Sequence, residues 1–168
     1  MKKIYFGGKF NIIKNNNLKI EERLKKDYRS KLLGDEKLLA YYQDKLMINH
    51  KYQYLGPFYC EKASHGDFTS TDCNIVITKE YEAVKHCDIF ICVFNKSFSV
   101  GSIVELEWSI NMNKEIIILY KEEKSDYEIK SEYWFAILDA VRRSNNIKVI
   151  PYNKEQEINI ILKEILEK

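Results

Sequence analysis

Apolar residues in this chain follow two rhythms, short continuous runs and longer stretches spaced for a helix, and the two alternate along its length. Residues 3–6 form a short first strand that stops at Gly7-Gly8. An asparagine-rich turn at 15–17 precedes a charged amphipathic helix over about 18–33, closed by Gly34. Residues 35–49 suit a second helical piece, and KYQYLGPFYC at 51–60 reads as a second strand, bent at Gly56-Pro57. After a polar loop at 61–72, a helix over 75–87 leads into DIFICVF at 88–94, an apolar run of the kind a strand buried on both faces needs. A helix over 101–113, a strand EIIILY at 115–120, a charged loop at 121–130, a helix near 132–143, a strand at 147–152 and a helix at 155–167 complete the series.

Such alternation marks a parallel sheet with helices on both faces. The expected architecture is α/β, a flavodoxin-like (Rossmann-like) three-layer fold whose five-stranded parallel sheet has the order 2-1-3-4-5. Ligands of these sheets lie past the carboxyl ends of the strands, where the strand order reverses, here between the first and third strands. Gly7-Gly8 and the turn at 97–102 then face each other across one crevice, where a ligand needs close backbone approach. With no repeat and no linker, the 168 residues are expected to form one domain, 1–168.

Composition narrows the function. A hydrophobic fraction of 45% and an aromatic fraction of 13% belong to a folded chain. The 27 basic and 25 acidic residues are interspersed, so no electrostatic case for binding a nucleic acid polymer arises, and the basic cluster at 14–31 reads as the solvated face of a helix. No apolar run approaches the roughly 20 residues that span a bilayer, and MKKIYFGGKF lacks the apolar core of a signal peptide. Cys60, Cys73, Cys87 and Cys92 have no CxxC spacing and are expected as reduced, buried thiols of a cytoplasmic protein. His50, His65 and His86 make no ligand pattern with them, so neither metal nor cofactor is expected.

The chemistry concentrates in FSVGSIVELEW at 98–108. A strand, a Gly/Ser turn and a helix N-terminus together make a pocket for an anion. Glu105, expected in the first helical turn, repels what the amides attract, and so points to a carboxylate that reacts with a phosphorylated or polyhydroxylated substrate. The alternative is an acidic residue favoured by the helix dipole. Glu80 is aligned with Val76, Ile77 and Val84, taken as the buried stripe of its helix. It is either functional or a rim residue that reaches water. Tyr5 is core, or donates a hydrogen bond that keeps a buried glutamate ionised and aimed. Phe10 can offer a flat slot to a base, or simply pack. Ser99 and Ser102 cap the helix, or bind a phosphate with the Gly101 and Ser102 amides. His65, in the long loop SHGD, is a further candidate ligand contact.

Taken together, IYFGGKF, KHCD, DIFICVF and SVGSIVELEWSINMNKEIIILY resemble the nucleoside 2-deoxyribosyltransferase family, which includes the 2'-deoxynucleoside 5'-monophosphate N-glycosidases. The similarity covers about residues 3–12 and 76–120. It implies the same flavodoxin-like fold, with Glu105 as the nucleophile that attacks the anomeric carbon and Tyr5 as the residue that orients it. Glu80 falls where the family places an aspartate that assists the base or sugar, one methylene shorter. Ser99 falls where transferases carry an aspartate facing the 5' end of the sugar, and monophosphate hydrolases a serine. With Gly7, Gly8, Phe10, His65, Gly101 and Ser102 around it, this site is expected to cleave or transfer the N-glycosidic bond of a nucleoside 5'-monophosphate or a nucleoside. Base exchange, a nucleotide sensor without turnover and hydrolysis of a larger nucleotide such as NAD are the alternatives. Members of the family assemble so that a neighbouring subunit covers the site, which implies a homo-oligomer, at least a dimer.

Overall fold

Among the described residues six strands make one sheet, and charged and glycine residues gather at its carboxyl edge. The computed structural model describes residues 1–10, 19, 22, 24–34, 38, 45–59, 71–95, 99–122 and 133–167. In chain order the elements are β1 (Lys2–Gly7), α1 (Tyr28–Leu33), β2 (Leu46–Met47), β3 (Tyr52–Gly56), α2 (Thr71–His86), β4 (Ile89–Phe94), α3 (Val100–Asn111), β5 (Glu115–Lys121), α4 (Trp134–Arg143), β6 (Ile147–Tyr152) and α5 (Glu155–Glu167). The sheet order is β2-β3-β1-β4-β5-β6. Five of the strands are parallel, in the expected order, and β2 adds a short antiparallel edge against β3. This is the flavodoxin-like α/β architecture. One expectation is corrected here: Leu46–Met47, at the end of the segment read as helical, is strand. Two residues paired to an existing edge need no periodicity of their own, so no pattern announces them.

The central strands explain the layering. Every residue of β4 is buried, Ile89, Ile91 and Val93 on one face and Phe90, Cys92 and Phe94 on the other. The first face packs with Ile4 and Phe6 of β1 against Leu24, Tyr28 and Leu33 near α1 and Ile158, Leu162 and Leu166 of α5. The second packs with Tyr5 against Val84 of α2, Leu106 and Ile110 of α3, and Ile137 and Ala140 of α4. Alternate side chains of one strand thus serve two separate cores. Cys87 and Cys92 are free and buried. No helix among the described residues is long and apolar enough to cross a membrane.

The helices are tied at their ends. Lys114 Nζ donates to the carbonyls of Lys85 (2.6 Å) and Cys87 (2.8 Å), closing the C-terminus of α2 with a cation where the helix dipole favours one. Arg143 of α4 grips Glu107 of α3 through two bonds of 2.7 Å and also reaches Asp139 at 2.9 Å. On α2 the stripe expected from sequence is corrected. Val84 is enclosed, but Ile77 is 53% exposed. Val76 and Glu80, in line with Val84, are half-buried, and among the described residues nothing covers the face that Ile77 presents.

At the end of β1, Gly8 has φ +123°, and a Cβ there would lie 2.5 Å from the Val93 carbonyl oxygen. Gly34 also has a positive φ, +74°, but open space around it. Gly8→Ala is therefore expected to cost at least about 2 kcal/mol and lower the thermal midpoint by roughly 4–8 °C. Gly34→Ala should lower it by clearly less. Equal losses in calorimetry would show that crowding at Gly8 contributes nothing.

Candidate active site

Tyr5 enters the α2/α3 side of the sheet because odd positions of β1 face that way, and it is wholly buried there. Its ring lies parallel to Phe90, with centroids 5.9 Å apart. This fixes the direction of its hydroxyl, which donates to Glu105 Oε1 at 2.8 Å. Glu105 comes from α3, whose buried residues Ser102, Glu105, Leu106, Ser109 and Ile110 follow the spacing of one inner stripe. The expectation of a first-turn position is corrected: the helix begins at Val100, so Glu105 lies in the second turn, and the first turn holds no acidic residue. A preference of acids for the helix N-terminus therefore does not account for it.

Glycines make the space. A Cβ on Gly7 would stand 3.0 Å from Glu105 Oε2 and 2.7 Å from Phe90 Cζ. The Gly8 backbone N–H donates to the Glu105 carboxylate. Glu105 is only 7% exposed. Burial pushes its pKa up to about 8, with the Glu80 charge adding to the rise, while the Tyr5 hydroxyl, the Arg29 cation and the Gly8 amide oppose it. Glu80 is half-buried on α2. Its charge acts on Glu105 from that helix. A folded pKa above the unfolded value means that the folded chain holds a proton the unfolded chain releases. The stabilising contribution is complete below the ordinary glutamate range and is lost as pH rises through about 8.

The start of α3 is built from its own polar groups. Ser99 is its N-cap, its Oγ accepting from the Ser102 backbone N–H at 3.4 Å and from the Ser102 hydroxyl at 3.0 Å. The Ser99 backbone N–H donates to the Tyr133 hydroxyl at 2.6 Å, and the Tyr133 ring stacks on Phe94 at 4.1 Å. Gly101 is exposed, and a Cβ there would meet nothing nearer than Ser99 Oγ at 3.9 Å. Ser102 and Glu105, three apart, share one helix face. Phe10 belongs to the other layer, its ring 3.9 Å from the Arg29 guanidinium and edge-on to Tyr59. His65 lies outside the described residues.

Tyr5, Gly7, Gly8 and Glu105 thus converge, with Glu80 acting on the last by charge, while Ser99, Gly101 and Ser102 form the adjoining helix start. Sequence reasoning missed Asp27, Tyr28 and Arg29, which pack behind the end of β1. The basic cluster at 14–31 was expected to be solvated throughout, yet Arg29 is 0% exposed, because Asp27 and backbone carbonyls replace its water. An acidic cap two residues before an arginine was the available signal. Tyr133 had none, since it reaches Ser99 only through the tertiary fold.

Neither a family model nor a curated protein matches the chain. Among solved structures it is similar to that of the Clostridium botulinum CMP N-glycosidase BcmB, with a TM-score of 0.55 and 19% identity over 96% of this chain and 99% of that one. At that identity the likeness is one of fold. The chain shares, over nearly its whole length, the fold of this N-glycosidase structure.

Proposed function

We propose that this protein cleaves the N-glycosidic bond of a nucleoside 5'-monophosphate, with Glu105 as nucleophile. The observation that carries the reading is the buried bond from the Tyr5 hydroxyl to Glu105 Oε1, at the carboxyl edge where a flavodoxin-like sheet receives ligands. A carboxylate in an apolar interior, given two donors and kept beside a second carboxyl, is costly as structure and suited to covalent catalysis. The shared fold with a CMP N-glycosidase supports the same direction.

In this reading a Glu105 oxygen attacks C1' of the sugar. The C1'–N bond breaks, its electron pair leaves with the base, and a proton reaches the base from Glu80 or from water. A water molecule then displaces Glu105 from C1' and releases the sugar phosphate. Tyr5 and the Gly8 amide favour the charged form of Glu105, and the bare Cα of Gly7 leaves Oε2 unobstructed. The 5' phosphate falls to the start of α3, where the dipole is positive and no acidic residue stands in the first turn. The reading extends to self-assembly, supported by apolar side chains that α2, α3 and α4 leave exposed, Phe135 at 90% among them.

Incubation with a panel of nucleotides and nucleosides, followed by chromatography for free base, tests the reading. Wild type should release base from at least one nucleoside 5'-monophosphate, and Glu105→Gln should lower the rate by at least about 10³-fold. Exchange of labelled base faster than hydrolysis would select transfer instead. Glu105→Gln should also melt higher than wild type by more than about 2–4 °C at pH 8, with the gap narrowing toward pH 5.

The pH profile gives a second test. The rate at low substrate should rise through pH values near 8 as Glu105 ionises. Glu80→Gln removes the like charge that raises this pKa, so the acid limb should move to lower pH even where the maximum rate drops. A limb that stays in place or moves up would remove Glu80 from the pair.

Ser99→Asp tests the 5' end. Aspartate caps a helix as well as serine does, so the fold should hold. The kcat/KM for a nucleoside 5'-monophosphate should fall at least about tenfold, or 1.4 kcal/mol. That for the matching nucleoside should change far less. Equal losses on both would place the phosphate elsewhere.

A further inference from the structure

The last carbonyls of β1 are taken, one after another, by the start of α1. Arg29 Nη1 donates to the carbonyl oxygens of Phe6 at 3.2 Å and Gly8 at 2.9 Å. The Tyr28 hydroxyl donates to that of Gly7 at 3.3 Å. The rest of the guanidinium is equally committed. Its Nε and Nη2 reach the two Asp27 carboxylate oxygens at 2.7 and 2.8 Å, and its flat face lies over the Phe10 ring. Asp27 is itself fixed, because it caps α1 by accepting the Arg29 backbone N–H at 3.0 Å.

The other side of the same strand end belongs to Glu105. Gly7 lies against Glu105 Oε2, the Gly8 N–H donates to the carboxylate, and Tyr5 is the residue just before Phe6. One thickness of backbone therefore separates a buried cation from the buried carboxylate. Buried ion pairs often stabilise a fold no better than well-packed apolar groups. A fork that spans alternate carbonyls does what an apolar group cannot: it fixes the height and tilt of the strand end. Lysine, a point charge on a flexible stem, cannot reproduce it.

We propose that Arg29, oriented by Asp27, is a positioning residue that holds the Phe6–Gly8 strand end so that the Gly8 amide and the Tyr5 hydroxyl meet Glu105 in its reactive geometry. The proposal rests on Glu105 as the reacting carboxylate. Among the described residues, the groups that act on Glu105 include Tyr5 of β1, Tyr28 and Arg29 of α1, Tyr54 of β3, Glu80 of α2 and Cys92 of β4. Of these only Arg29 carries a positive charge, so charge and position must be separated by variants.

Arg29→Lys keeps the charge and loses the fork. Arg29→Met loses both, and Asp27→Asn keeps the helix cap while loosening the fork. Each is read by thermal midpoint, by kcat and KM for base release, and by titration of the Glu105 carboxyl, followed by carbon NMR of labelled glutamate and assigned with Glu105→Gln. Arg29→Lys should lower kcat about tenfold to a hundredfold, with KM within about threefold, as a misplaced reacting group does. It should also raise the Glu105 midpoint by at least about half a pH unit, through the weakened Gly8 donor. Asp27→Asn should do the same to a smaller degree, and serves if the Arg29 variants do not fold. Wild-type kcat and titration in Arg29→Lys would reduce the role to charge alone, and wild-type values in all three variants to packing; either overturns the proposal. Should wild type release no base from any substrate, the function is wrong. The Glu105 titration then still decides whether Arg29 sets its surroundings.

Discussion

Glu105 places an ionisable oxygen pair inside an apolar layer, and the strand end beside it is arranged around that demand. With the carboxylate only 7% exposed, the Tyr5 hydroxyl and the Gly8 amide take over most of its solvation. Tyr5 points correctly because Phe90 fixes its ring, and Phe90 is there because β1 and β4 pair in register, Tyr5 opposite Phe90. Gly7 and Gly8 follow from the same demand: a side chain at the first would press on Glu105 Oε2, one at the second on the Val93 carbonyl. Even so, donors do not fully offset burial and the Glu80 charge, and the carboxyl keeps its proton to about pH 8.

In the proposed reading, that residue of unfavourable energy is what separates a site from a core. A glutamine would fill the same volume, accept the Tyr5 hydroxyl and carry no desolvated charge. The fold tolerates the charge because the cores on the two faces of the sheet are independent and large, and because β4, buried along its whole length, anchors both. The buried cation behind β1 belongs to the same arrangement. Arg29 and Glu105 lie on opposite sides of one strand end, so each field reaches the other through backbone rather than through solvent.

What could be read in advance follows from how local each signal is. The central parallel strand was legible because a strand buried on both faces shows as an unbroken apolar run, as in 89–94. The order 2-1-3-4-5 followed from alternation and from the rule for such sheets. Glu105 was legible because it broke a local pattern next to a glycine turn, whereas Tyr5 read as plain core by its pattern and was tied to Glu105 by the family resemblance. Arg29 was not legible, since a charged residue among lysines reads as solvated until its carbonyl partners are known. Ile77 failed for a related reason. Periodicity tells which way a side chain faces, not whether anything lies opposite it. Leu46–Met47 carries no pattern at all, and its pairing depends on an edge that only the folded sheet provides.

In the proposed reading, structure and function share the start of α3. Ser99 Oγ is occupied by the Ser102 amide and hydroxyl, so serine here is a cap first. A cap that is also a phosphate ligand would have to give up those bonds, at a cost comparable to what it gains. The economical arrangement leaves the serine as a neutral cap and gives an anion the remaining first-turn amides, whose donors have no partner within the helix. Gly101 suits that arrangement, being exposed with nothing but Ser99 Oγ near the position of a Cβ. On this argument the serine matters less for what it binds than for the charge it withholds. An aspartate would cap equally well and cancel the positive end of the dipole that a phosphate needs.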